Sequence, residues 1–296
     1  MTRSILITGC SSGFGRDLAV NFATQGQRVG ATMRDPNGRN REAAEGLRER
    51  ARSGGWTLEV LGLDVTSDAS VSSAVAAFEG EFGTPDVVIN NAGQMYGGLS
   101  ELFTPEELTR QLDVNVVGVH RVTRAVLPKM RERGRGLLVN ISSVAGRFSM
   151  PFFGVYHASK WALEGYSQAL RAELATSGVD VVLVEPGPFA TELFQGTVHA
   201  EDAEQRASTY PPAVNGAYEE MGQAFEGIFA DPEAPTDPAI VVQGVTDLVA
   251  MAPGTRPLRT CFGLDFGVVE RNEASAPFDQ ALYESMGMLG LQELKR

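Results

Sequence analysis

Tyr156 and Lys160 stand four residues apart in YHASK, which on a helix sets both side chains on one face. A phenol with an ordinary pKa of about 10 is a poor base near neutral pH. A neighbouring ammonium favours the phenolate and lowers that value. Ser143, in ISSVAG, follows the apolar run before this helix, where its hydroxyl can hold a carbonyl oxygen while Tyr156 passes a proton. Alone, Y-x-x-x-K is common, and an aromatic residue beside a surface lysine reads the same way. A second candidate is TGCSSGFG, Thr8 to Gly15, between a strand pattern and a helix pattern. Its glycines allow a tight turn and close approach of backbone to a pyrophosphate, and the helix start adds unpaired N–H groups and partial positive charge. The spacing is G-x-x-x-G-x-G, and a turn that merely packs accounts for it equally well when it is taken alone. A third is NNAG, Asn90 to Gly93, where Gly93 lets the backbone pass beside a ligand at a strand end. Alone, it also fits a simple strand-ending turn.

The elements that must position these residues alternate. Ser4 to Thr8 reads as a buried strand, and Leu18, Ala19, Phe22 and Ala23 recur at helical spacing before Gly26. Strands follow near Arg28–Met33, Leu58–Leu63, Val87–Asn90, Leu137–Ile141 and Val179–Val184. Between them lie helices near Arg41–Ala51, Ala69–Phe82, Glu106–Arg131 and Val155–Ala175, the third weakened near its end by Pro128. Continuous apolar strands alternating with helices predict an α/β fold: a Rossmann-type, doubly wound, mostly parallel sheet with helices on both faces. After Pro186 the rhythm breaks. Gly187 to Pro212 has no clear period, a helix fits Gly216–Phe229, another fits Ala239–Met251, and a strand fits Leu258–Gly263. The tail from Glu270 to Arg296 reads as a loop with one short helix. No linker divides the chain, so residues 1–296 are expected to form one domain, with a helical lid over about 188–230 and a C-terminal extension over about 270–296.

Composition narrows the function classes. Apolar residues are 43% and charged residues 21% of 296, as in an ordinary globular protein. A net charge of -12 disfavours nucleic acid and anionic membranes as partners. Cys10 and Cys261 have no zinc-ligand spacing, and His120, His157 and His199 are scattered, so no metal is expected. The cysteines read as unpaired thiols of a reducing compartment. The apolar run in MTRSILITG is too short for a signal peptide, and no stretch has the length of a membrane span. A cytoplasmic protein is expected.

Taken together, the pieces are far more specific than any one of them. TGCSSGFG, LDV, NNAG, the Asn115 segment, ISSVAG, YHASK and PGP occur in the order of the short-chain dehydrogenase/reductase family, which the chain resembles from Ile5 to Thr191. ATMRDP and PGTRPLRT are similar to hydroxysteroid and retinol dehydrogenases within it. The resemblance implies a catalytic tetrad of Asn115, Ser143, Tyr156 and Lys160, with Asn115 holding a water in a proton relay to Lys160. From its own residue type Asn115 reads as a polar helix residue satisfying local backbone. The resemblance further implies a nicotinamide dinucleotide held by Gly9, Ser11, Ser12, Gly13, Phe14 and Gly15, and by Asn91, Ala92, Gly93, Tyr156 and Lys160. Asp64, with Val65 beside it, falls where the family accepts the adenine amino group; its own setting also suits a helix N-cap. Pro186, Gly187 and Thr191 fall in the segment facing the nicotinamide.

NADP is expected over NAD. The family's acidic position after the second strand is Met33, and Arg34 follows, able to grip a 2′-phosphate by charge-assisted bonds, with Ser11 and Ser12 as added donors. Asp35 is adjacent and competes for Arg34, and the glycine turn lacks a second basic residue. Met95, Tyr96, Phe148, Phe152, Phe153, Phe189, Leu193 and Phe194 fall where the family builds its substrate pocket, which points to an apolar or aromatic alcohol or ketone, steroid-like or retinoid-like. The helices near Glu106–Arg131 and Val155–Ala175 form the family's dimer face, so a homodimer or homotetramer is expected. Two other readings compete: a non-catalytic NADP-binding sensor on the same fold, and an acyl or polyketide ketoreductase. The intact tetrad opposes the first, and the lack of a clear basic patch opposes the second.

Overall fold

The computed structural model describes residues 2–201 and 203–294. Residues 1, 202, 295 and 296, which belong to the expected domain, its lid and its extension, lie outside the described residues. Seven strands form one parallel sheet in the order β3-β2-β1-β4-β5-β6-β7. They are β1 Ser4–Ile7, β2 Arg28–Met33, β3 Leu58–Gly62, β4 Val87–Asn90, β5 Gly136–Ile141, β6 Val179–Pro186 and β7 Arg259–Phe262. The chain winds outward from β1 to β3, then returns to lay β4 on the other side of β1. This reversal opens a crevice beyond the carboxyl ends of β1 and β4, where doubly wound sheets bind ligands.

Both faces of the sheet are covered. Ile5, Ile7, Val29, Ala31, Ile89 and Val139 face one apolar layer, and Leu6, Val88, Leu138 and Val181 the other. Burying each such side chain contributes roughly 1.5–3 kcal/mol. On the first face lies α1 (Gly13–Thr24), presenting Leu18, Ala19, Phe22 and Ala23, with α2 (Arg41–Gly54) beside it. On the second face lies α3 (Asp68–Phe82), whose N-cap is Ser67, accepting Ser70 N at 3.2 Å. Asp64 is therefore not the cap of that helix. Its Oδ1 instead accepts Thr66 N at 2.9 Å and Thr66 Oγ1 at 2.7 Å.

The helix expected over Glu106–Arg131 is two helices. Helix α4 (Pro105–Leu112) opens on a capping box between Thr104 and Glu107, and α5 (Gly118–Arg133) ends on Gly134 at φ 69°. One π-type turn, Asp113–Val117, joins them. Apolar spacing does not reveal such a turn, because it changes the phase by one residue and leaves both flanks helical. At Gly118 a Cβ would come within 2.8 Å of Val65 Cβ, so this close approach requires glycine. Helix α5 continues past Pro128, with Val126 and Met130 fully buried on either side of it.

Helix α6 spans Gly154–Ala175. The aperiodic stretch after Pro186 holds two short helices, α7 (Glu192–Gln195) and α8 (Ala203–Ala207). Two longer helices follow, α9 (Pro212–Ala230) and α10 (Ala239–Ala250). The tail is more ordered than expected, with an 18-residue helix, α11 (Val268–Ser285). It buries only Val268, so it carries no apolar stripe for periodicity to detect. Among the described residues, no helix is long and apolar enough to cross a membrane.

Candidate active site

The crevice is a cavity of about 880 Å³. Its floor begins at the glycine turn. Gly9 and Gly13 have φ of 74° and 53°, and a Cβ on Gly9 would lie 2.8 Å from Ala92 Cα. A Cβ on Gly15 would lie 2.3 Å from Gly9 O, so Gly15 seals the turn from beneath while Gly9, Ser11, Ser12, Gly13 and Phe14 line the cavity. The Ser12 side chain does not cap α1, which leaves the N–H groups of the first helical turn to a ligand. Across the crevice, Asn91 Nδ2 donates to Thr8 O at 2.9 Å and Gly9 O at 3.1 Å. Thr8 Oγ1 accepts Asn91 N and Ala92 N, each at 3.0 Å. These bonds fix the ends of β1 and β4 together, with Asn91, Ala92 and Gly93 in the wall.

Ser143, Tyr156 and Lys160 converge on the same wall, all at least nine-tenths buried. Ser143 Oγ accepts Ala145 N at 3.1 Å and donates to Pro186 O at 3.3 Å. Lys160 Nζ donates to Ile141 O at 2.9 Å and stands 5.7 Å from the centroid of the Tyr156 ring. Burial pushes the Tyr156 phenol up to about 12, against a smaller downward pull from Ser143. This direction is opposite to the one expected from the Lys160 spacing. The ammonium stands over the ring face, and desolvation of the phenolate sets the direction. Burial also lowers Lys160 to about 8, with the charge of Glu164 opposing it. Asn115 lies behind the wall. Its Oδ1 accepts Gln94 N at 3.0 Å, and its Nδ2 donates to Gln94 O at 2.9 Å and Ser159 Oγ at 3.0 Å. The π-type turn thus fastens the segment after Gly93 to α6.

One end of the cavity is basic. Arg34 lines it together with Arg39 and Asn40, two residues that motif reading missed. The Asp35 carboxylate accepts the Arg39 backbone N–H at 2.9 Å, and no ion pair joins it to Arg34 among the described residues. Asp35 adopts φ 43°, and Asn40 Nδ2 donates to Arg34 O at 2.5 Å, folding PNGRN back toward the crevice. Asp64 and Val65 complete this end. Burial raises Asp64, but the hydrogen bonds from Thr66 and the charges of Arg34 and Arg39 outweigh it and hold the carboxyl below its usual range.

The other end is apolar. Met95, Phe148, Phe153, Phe189, Leu193 and Phe194 line the cavity, whereas Tyr96 does not. Tyr96 is turned away, stacked on Phe103 at 5.5 Å, and Phe152 packs on Tyr218 at 5.2 Å. Phe189 meets Phe14 edge-on at 5.4 Å, joining the two ends beside Pro186, Gly187 and Thr191. A Cβ on Gly187 would lie 2.0 Å from Leu264 O. Met150, Met221, Phe225, Ile228 and Phe266 also line the cavity and were missed from sequence. Met221, Phe225 and Ile228 form an i, i+4, i+7 stripe on α9, which was the available signal. His157 completes the wall. Its ring nitrogens meet Ala145 O and Met150 N at 2.7 and 3.3 Å, so Nδ1 carries the proton, and burial lowers the imidazole's pKa.

A doubly wound sheet with a glycine turn at its switch point and a buried Ser–Tyr–Lys group beyond β5 defines a class of α/β protein with a two-ended ligand crevice. Comparison with known proteins names the family. Residues 3–202 match the short chain dehydrogenase model, and the chain belongs to that family. It is 43% identical over 187 residues to a 3-ketodihydrosphingosine reductase of Bacteroides thetaiotaomicron, covering 63% of this chain and 64% of that one. It is 41% identical over 202 residues to human retinol dehydrogenase 8, covering 67% of this chain and 62% of that one. The chain thus spans less than two thirds of the length of these two curated relatives. Among solved structures, a short-chain dehydrogenase from Streptomyces avermitilis superposes with TM-score 0.76 at 32% identity, covering 97% of this chain and 98% of that one. A gluconate 5-dehydrogenase from Burkholderia cenocepacia, solved with NADP and tartrate, gives TM-score 0.59 at 32% identity, covering 64% and 73%.

Proposed function

We propose that the protein is an oxidoreductase that moves a hydride between NADP(H) and an apolar alcohol or ketone. The observation that carries this reading is one cavity with Tyr156 and Ser143 between a basic end and an apolar end. A dinucleotide fits the residues present, because the close approach at Gly9 leaves no room for a side chain there and the uncapped start of α1 offers N–H groups to phosphate. Gly9, Ser11, Ser12, Gly13, Phe14, Asn91, Ala92 and Gly93 would hold it, with Asp64 and Val65 at the adenine. Arg34, joined by Arg39, would hold the 2′-phosphate. Pro186, Gly187 and Thr191 would face the nicotinamide, which when bound supplies or accepts the hydride.

The chain's own residues do the rest. Tyr156, protonated across the working pH range, donates its proton to the carbonyl oxygen in reduction and recovers it in oxidation. Ser143 turns its hydroxyl from Pro186 O to the same oxygen and fixes its position. Lys160 places positive charge near the phenol, and Asn115 holds the Gln94 segment against α6 and, in this reading, a water on the path to Lys160. Phe153, Phe194 and Phe225 exclude water from the reacting carbon. The relatives named for a 3-ketodihydrosphingosine and a retinol support a substrate with a long apolar body. We take the chain as one cytoplasmic catalytic domain working as a homodimer or homotetramer, with neither nucleic acid nor membrane as partner.

The test is oxidation of NADPH and of NADH by purified protein against a panel of apolar ketones, with Tyr156→Phe beside wild type. That variant keeps the ring and loses the proton, so turnover falls at least ~100-fold, as for loss of a general acid. Cofactor binding, followed by fluorescence, stays intact. Near-normal turnover in Tyr156→Phe overturns the mechanism.

A further inference from the structure

One turn beyond Lys160 on α6 lies Glu164, 2% exposed. Its side chain runs beneath the turn that carries Ser143: a Cβ on Gly146 would meet Glu164 Cγ at 2.8 Å and Lys160 O at 3.1 Å. One carboxylate oxygen takes Arg259 Nε at 2.8 Å, and the other is buried without a hydrogen-bond partner. Glu185, fully buried at the end of β6, lies 3.6 Å from that same Nε. A second Arg259 nitrogen is spent on Gln168, at 2.7 Å. Two buried carboxylates therefore share one guanidinium. The bond from Lys160 to Ile141 O, 2.9 Å, offers the ammonium no charge, and Glu164, four residues on and also buried, is the acid whose charge raises it.

We propose that Glu164 is a positioning residue that keeps Lys160 an ammonium in the buried site and so sets the alkaline limit of proton transfer at Tyr156; the second part rests on the reading under Proposed function. Burial works against the ammonium, and the charge of Glu164 is what raises it. The other charged or titratable groups around this cluster are Arg147, Glu185, Arg259, Cys261, Asp265 and Arg271. Arg259 attenuates the field of Glu164 but is itself shared with Glu185.

The lysine can be watched directly, because the sequence has only Lys129, Lys160 and Lys295. In protein labelled at lysine Cε with ¹³C, the Lys160 signal is assigned by its loss in Lys160→Arg, and its titration midpoint is measured without substrate. Glu164→Gln keeps the shape and an acceptor for Arg259. Its midpoint is expected to fall by roughly one pH unit, the low end of what a nearby opposite charge supplies. Glu164→Asp keeps the charge and restores most of the wild-type midpoint. Where the amide variant does not fold, Glu164→Met, an apolar side chain of similar length, gives the same readout. The alkaline limb of kcat/KM for ketone reduction moves down in step with the midpoint. An unmoved Lys160 midpoint in the uncharged variant overturns the proposal, as does a rate loss equal at every pH. If wild type reduces no carbonyl at all, the enzymatic reading falls, and the lysine titration still decides whether Glu164 holds the charge.

Discussion

Replacing Arg34 with alanine removes a guanidinium from the basic end of the cavity and leaves the glycine turn and the Ser143–Tyr156 wall untouched. Hydrogen bonds to charged groups contribute about 1.5–3 kcal/mol each, and tenfold in affinity is about 1.4 kcal/mol. Arg34 is solvent-exposed, so the low end applies. Arg39 stands beside it and retains part of the attraction. Arg34→Ala is therefore expected to raise KM for NADPH about 10-fold and to change KM for NADH less than about threefold. Adding Arg39→Ala brings the loss for NADPH to roughly 100-fold, because among the described residues no other arginine or lysine lines that end. Asp35 does not blunt the effect, since its carboxylate is occupied by the Arg39 backbone N–H. The assay is initial rates with both cofactors at fixed ketone and low salt, repeated at about 0.5 M salt, where the difference shrinks by screening. Wild type that prefers NADH, or a double variant that weakens both cofactors equally, refutes the assignment of this end to the 2′-phosphate.

Two further outcomes follow from the same geometry. Burial, with Glu164 adding to it, pushes the Glu185 carboxyl from 4.5 up to about 7, so the stability contributed by its protonation is full below about 4.5 and is lost as pH rises through about 7. Denaturant unfolding at pH 5 and pH 8 should therefore show roughly 2 kcal/mol more pH-dependent loss in wild type than in Glu185→Gln, and equal slopes would refute the assignment. Phe225→Ala opens the lid where Phe153, Phe194 and Phe229 surround that ring, and is expected to raise KM for a long apolar ketone about 10-fold while leaving KM for NADPH within about twofold; equal losses on both would place Phe225 outside the substrate end.

Much of the molecule was legible in the residues themselves. The strands are continuous apolar runs because helices cover both faces, and that pattern is local. The spacing of Tyr156 and Lys160 sets them on one face of α6 whatever surrounds it, and the turn from Gly9 to Gly15 requires its glycines by backbone geometry alone. What the tertiary structure alone decided depends on parts of the chain far apart in sequence. Arg39 reaches the crevice because Asp35 and Asn40 fold its loop back, and Met221, Phe225 and Phe266 close it from the long crossover between β6 and β7 and the turn just beyond β7. Tyr96 follows Met95 directly yet faces the opposite way, since Phe103 offers it a stacking partner outside the cavity. The π-type turn at Asn115 leaves helical periodicity on both sides and becomes visible only through its bonds to Gln94 and Ser159. The ionisation of Tyr156 and Lys160 was beyond spacing for the same reason. Desolvation is a property of everything packed around a group, and here it sets the direction at both residues.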